Sequence, residues 1–195
     1  MKLGMAIEEL HCSENHLARA LQEMSDRHKA EHDIFHVARD LATWSQDHVA
    51  ALARAGRDYD LDLSPEADGD PRLLGELRQK TSELLGRRPE PGMLLLADLR
   101  HIFREASGTS LDWELLAQGA QAAKDSELLA LSKRCHPQTL RQARWANATL
   151  KETSPQVLAR LSARQLSADP AAGCPSLPVT GGAAPTSLFA SAAAG

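Results

Sequence analysis

Histidines crowd the start of the chain. Six of the eight, His11, His16, His28, His32, His36 and His48, fall within the first 48 residues. His28, His32 and His36 are four apart, so neighbours share one helix face about a turn apart. Two imidazoles in that relation can clamp a metal ion such as zinc. The HExxH form is absent, because Glu31 directly precedes His32 in His28-Lys29-Ala30-Glu31-His32. A second pattern is an acid three residues before a histidine, at Glu8–His11, Asp33–His36 and Asp98–His101. With 26 acids in 195 residues, eight histidines give about one such case by chance. Carboxylate and imidazole on one face serve equally as metal ligands or as solvated partners. Clustered histidines also gain charge as pH falls, which would loosen a helix interface.

The elements that must position these residues are helical. Ala, Leu, Arg and Glu are plentiful, aromatics are only 4%, and β-branched residues are scarce; unbranched side chains lose little freedom in a helix. The expected fold class is all-α, a bundle of four to six helices. From Met5 to Ala55 there is no Gly or Pro. A heptad frame runs through Leu3, Ile7, Leu10, Glu14, Leu17, Leu21, Met24, His28, Glu31, Phe35, Ala38, Ala42, Ser45, Val49 and Leu52, predicting a buried seam. Ile34, Val37, Leu41 and Trp44 widen the apolar face. Residues 1–56 are then either one helix, about 75 Å long, or a hairpin bent near Ser25-Asp26-Arg27 with Ser25 or Asp26 capping its second arm.

Residues 57–71 read as an acidic linker. Asp58, Asp60 and Asp62 do not make an EF-hand loop, because Leu63 and Gly69 stand where Gly and Glu are required. Residues 72–166 complete the bundle, with helices expected over 72–85 and 93–106. The second stops at Ser107-Gly108. Thr109 or Ser110 caps the next, which runs to about Lys133 on Leu111, Leu115, Gln118, Ala122 and Leu129. Cys135-His136-Pro137 interrupts, a helix continues to about Thr153, and Ser154-Pro155 opens a last short one. Residues 167–195, mostly Ala, Gly, Pro, Ser and Thr, read as a disordered tail.

A turn at residue 26 would bring Glu14 level with about residue 38, near Asp33 and His36. A turn at Gly108 would bring Glu114 beside Asp98 and His101. Two helix pairs, each giving one carboxylate and one acid-x-x-His, is the ligand set of a dinuclear carboxylate site. On Glu14, Asp33, His36, Asp98, His101 and Glu114, residues 3–133 resemble the ferritin-like four-helix bundles. The sequence departs from that family in using Asp rather than Glu before His, in reversing the order of its second half, and in the break over Gly86–Gly92. The resemblance implies iron or manganese, with oxidation or storage chemistry; zinc at the His28–His32 face is the lesser variant. The competing reading is structural: Glu14, His28 and Glu31 interrupt the seam as polar residues do when they fix register. In a single long helix Glu14 and His36 would lie about 33 Å apart.

Composition excludes several functions. A net charge of -4 offers nothing to attract nucleic acid or an anionic membrane. The apolar run Met93–Ala97 is too short to span a bilayer, and Glu8, Glu9 and Glu14 interrupt any signal-peptide core, so the expected location is the cytoplasm. Cys12, Cys135 and Cys174 are too scattered for a disulfide framework or a cysteine-based zinc site. Phosphate-binding loops and nucleophile elbows are absent. The wide apolar face over Ile34–Val49 favours a non-catalytic module that binds a protein partner or a copy of itself. A metal-binding bundle is the alternative.

Overall fold

Helical periodicity is realised as four long helices in the computed structural model, which describes residues 2–66 and 90–168. They are α1 (Lys2–Arg27), α2 (His32–Gly56), α3 (Pro91–Ala123) and α4 (Ser126–Ala168), with a short 3-10 turn at Arg57–Tyr59. The chain is all-α, and no described helix is long and apolar enough to cross a membrane.

The first 56 residues form a hairpin. Its reversal lies at residues 28–31, a few positions beyond the expected bend. Ser25 does not cap α2: its hydroxyl donates to the Phe35 carbonyl at 2.9 Å, while Glu31 holds the N-cap position without a side-chain bond. His28 is fixed instead by α3, its Nε2 lying 2.9 Å from Asp98 Oδ2, and Arg27 donates to Asp98 Oδ1 at 2.7 Å. One buried carboxylate on a distant helix therefore locates the turn.

Three expected breaks are absent. α3 passes through Ser107-Gly108-Thr109-Ser110, where Ser107 and Thr109 hydroxyls bond back to the carbonyls of Phe103 and Glu105. Such residues favour caps, but a back-bonded hydroxyl fits mid-helix. α4 likewise runs through Pro137 and Pro155. Both prolines are exposed, so each lost hydrogen bond falls on the outer face, where water replaces it. The real reversal is at Lys124 (φ 63°) and Asp125, a stretch free of Gly and Pro. Asp125 Oδ1 accepts the backbone N–H groups of Leu128 and Glu127, capping α4, and Oδ2 accepts the Tyr59 hydroxyl.

α1 and α3 run antiparallel, as Ser13–Asp112 and Arg27–Asp98 show; α2 and α4 do too, through Leu41–Gln142 and His48–Gln138. The order is up, down, down, up, with one long connection between α2 and α3. Part of that connection packs: Leu61 and Leu63 lie against the core, and the Ser64 carbonyl meets His11 Nε2 at 2.8 Å. The expected helix over 72–85 lies outside the described residues, as do residues 67–71 and the tail from 169.

The core has two apolar clusters. One holds Leu17, Leu21, Met24, Leu41, Leu99 and Ile102 near the α1–α2 turn; the other holds Ile7, Leu10, Leu52, Trp113, Leu116 and Leu128 toward the opposite end. The α1 seam is buried as its spacing predicts. Ile34, Val37 and Trp44 pack on the first cluster, so this chain's own helices already serve much of that widened face. On α3, by contrast, Trp113, Leu116 and Ala120 point inward while Leu111, Leu115, Gln118 and Ala122 are exposed.

Burial and Asp125 raise the Tyr59 hydroxyl to about 12, and the Tyr59 bond, with the α4 N–H groups, lowers the Asp125 pKa. The lowered carboxyl contributes stability above the usual carboxylate range, and that contribution is lost as pH falls through the folded value. Asp125→Ala should cost about 1 kcal/mol at neutral pH and shrink the acid dependence, read from urea midpoints at pH 7 and pH 3.

Candidate functional site

Between the two apolar clusters lies a polar layer, and Glu14 is its centre. Glu14 occupies a seam position of α1 and is fully buried. Its Oε1 receives three hydrogen bonds, each from a different helix: Trp113 Nε1 at 2.6 Å from α3, Thr139 Oγ1 at 2.9 Å from α4, and His48 Nδ1 at 2.9 Å from α2. Oε2 is buried without a hydrogen-bond partner among the described residues. Burying a carboxylate costs several kcal/mol, and only close counter-charge and donors offset it.

His48 supplies the counter-charge. It is 2% exposed, its Nε2 lies 2.7 Å from Gln138 Oε1, and Trp113 packs edge-on against its ring. Both nitrogens face oxygen acceptors, which suits an imidazolium donating twice. Burial works against that charge, but the neighbouring Cys135 thiol and the hydrogen-bonded Glu14 carboxylate override it and raise the pKa to about 10. The layer continues through Gln142, whose Nε2 donates to the Leu41 carbonyl and Ser45 Oγ at 2.9 Å each. Glu14, His48, Trp113, Thr139 and Gln142 are all buried, so this arrangement is suited to fixing helix register rather than to meeting a substrate.

The six residues expected to share a dinuclear site are dispersed. Glu14 pairs with His48, not His36. The hairpin reversal sits about 3.5 residues later than residue 26, and each residue of delay shifts the facing position by two. Glu14 thus lies level with about residue 45, and His36 is some 13 Å further along the axis. Asp33 and His36 are exposed. Asp98 holds His28 and Arg27, while His101 points outward, 3.7 Å from Glu105. Because α3 does not turn at Gly108, Glu114 lies about 24 Å along the same helix from Asp98, near His136 at 3.6 Å. Among the described residues, no group of three or more His, Cys, Asp or Glu could hold a metal ion. At the bundle centre the four helices contribute Glu14, His48, Trp113 and Thr139, of which only Glu14 is a carboxylate.

Two histidines do come together. His32 and His36 are exposed and stand with their Nε2 atoms 3.1 Å apart. His32 also borders an open groove of about 410 Å³ lined by Ile34, Val37, Leu95 and Trp145 together with Glu31, Asp33 and Glu152. A smaller groove, about 220 Å³, is lined by His16, Arg19, Glu23, His101 and Glu105.

Sequence reasoning missed His48, Trp113, Thr139, Gln138 and Gln142. A signal was present: Ser45 is a polar member of the seam, and Cys135, Thr139, Gln142 and Ala146 form a 3–4 stripe on α4. Reading Pro137 as a break hid that stripe. Comparison with known proteins adds no relative: no protein-family model, no curated protein and no solved structure matches the chain.

The sign of the His48 effect follows from its raised pKa. Its stabilisation is fully present below about pH 6.5, its ordinary value, and declines as pH rises toward about 10. Breaking this buried pair by Glu14→Ala should destabilise the fold by about 3–5 kcal/mol. Urea midpoints taken between pH 6.5 and pH 10 should fall for the wild type, and Glu14→Gln should flatten that slope. Equal slopes for both would count against the ion pair.

Proposed function

We propose that this chain is a non-catalytic helical module that binds another helix, from a protein partner or from a second copy, along the outer face of α3. The observation that carries this reading is the exposure of Leu111 and Leu115, at 56% and 61%. Isolated exposed leucines are ordinary on protein surfaces. These two stand one turn apart in a frame of Gly108, Leu111, Leu115, Gln118 and Ala122, spaced alternately by three and four. That is the spacing of a coiled-coil seam, with small residues where a neighbouring backbone would approach. Gly108 has open space where a Cβ would stand. α3 is a continuous 33-residue helix held from behind by Trp113, which makes it a rigid platform.

A ferritin-like bundle that binds iron or manganese is the second reading, favoured by the single long connection between two antiparallel helix pairs. It would need ligands beyond Glu14 at the bundle centre. Stoichiometric iron or manganese in untagged protein, measured by elemental analysis, would move the balance to it.

Burying a leucine contributes about 1.5–3 kcal/mol, so one Leu→Glu change at the seam should weaken association by roughly tenfold or more. Size-exclusion chromatography with light scattering at low micromolar concentration should give a species larger than a monomer. Leu111→Glu and Leu115→Glu should return it to monomer with unchanged helicity. A monomeric wild type removes the second copy as occupant. A partner recovered equally well by wild type and both variants removes the α3 seam.

A further inference from the structure

We infer that His32 and His36 form a two-point clip for a divalent transition-metal ion on the surface of α2. The spacing is what the chemistry requires. Imidazole nitrogens bind zinc at about 2.0–2.1 Å, so two of them on one ion stand about 2.9 Å apart at a right angle and about 3.3 Å apart at a tetrahedral angle. The two Nε2 atoms are 3.1 Å apart, between those limits. Without an ion, the contact is a hydrogen bond in which one ring is protonated at Nε2 and donates to the bare Nε2 of the other. An ion accepts a lone pair from each.

The rings are held for the task. Phe35 meets the His36 ring edge-on at a centroid distance of 4.8 Å, and the Arg39 guanidinium lies over Phe35 at 5.5 Å. His32 and His36 are themselves 4.3 Å apart between centroids. The amino end of α2 disfavours a nearby cation, but Glu31 and Asp33 bring two negative charges to the groove that His32 borders. An all-nitrogen pair selects copper, nickel or zinc over magnesium or calcium, which want oxygen donors. Two protein ligands leave the remaining coordination positions open to water or to a donor from another molecule.

A second surface pair provides a contrast. Cys12 Sγ and His16 Nε2 are 3.9 Å apart, whereas a tetrahedral zinc with sulfur at about 2.3 Å would set them near 3.6 Å. That pair overshoots the span; the His32–His36 pair does not. The clip does not depend on the α3 seam, and its test is blind to oligomeric state.

Zinc chloride titrated calorimetrically into untagged full-length protein should reveal one site per chain. His32→Ala and His36→Ala should each weaken it by at least about tenfold, the size of effect that even an outer-shell partner of a metal produces. Both side chains are exposed, so far-ultraviolet circular dichroism should be unchanged, which separates ligand loss from misfolding. Cys12→Ser and His16→Ala should leave the site intact. Absence of zinc binding overturns the proposal, and so does binding that survives both α2 substitutions or disappears with Cys12→Ser.

Discussion

Oxygen Oε1 of Glu14 is where the four helices meet, and the rest of the architecture is arranged to make that burial tolerable. A carboxylate with no exposure needs several donors at once, because a single hydrogen bond does not offset its loss of water. Here an indole N–H, a hydroxyl and an imidazolium converge on one atom from three helices other than its own. The apolar clusters on either side keep water away, which strengthens each of those contacts. They could be satisfied by many offsets of four leucine-rich helices. The polar layer is satisfied by one, since sliding any helix by a turn moves its donor about 5.4 Å from the oxygen.

Much of this was legible in the residues. The frame from Leu3 to Leu52 marked the buried faces of α1 and α2 correctly, and Glu14 was the visible intruder in it. The identity of its partner was not legible, because a hairpin doubles any error in its turn. Nothing local marks residues 28–31: there is no Gly or Pro there, and the reversal depends on Asp98, seventy residues away from His28. Gly108, Pro137 and Pro155 misled in the opposite sense. Each is punctuation by local propensity and each is exposed; at Gly108 and Pro137 the opposite face of the helix is packed in the core. Tertiary contact overruled local preference at those positions.

The surface shows a similar exchange of roles. Leu111, Leu115, Gln118 and Ala122 look like a core stripe, yet α3 turns Trp113, Leu116 and Ala120 inward. Among the described residues, the inward face of α3 is packed and the face bearing Leu111 and Leu115 is exposed. The face of α2 over Ile34–Trp44, which looked unpartnered by sequence, packs on Leu95, Leu99, Ala143 and their neighbours. His32 and His36 are exposed beside that packed region, brought together by their one-turn spacing on α2.

The division of the polar layer between the two helix pairs bears on how the molecule assembles. Glu14 and His48 belong to the first hairpin, so its acid and its base are neighbours as soon as α1 and α2 associate. Trp113 and Thr139 belong to the second and are neutral. Docking therefore brings the Glu14–His48 pair onto two uncharged donors, while the Asp98 carboxylate of the second pair meets Arg27 and His28 of the first across the same join. The join between the halves is specific because each charge buried there, Glu14 and Asp98, meets a partner on the first hairpin.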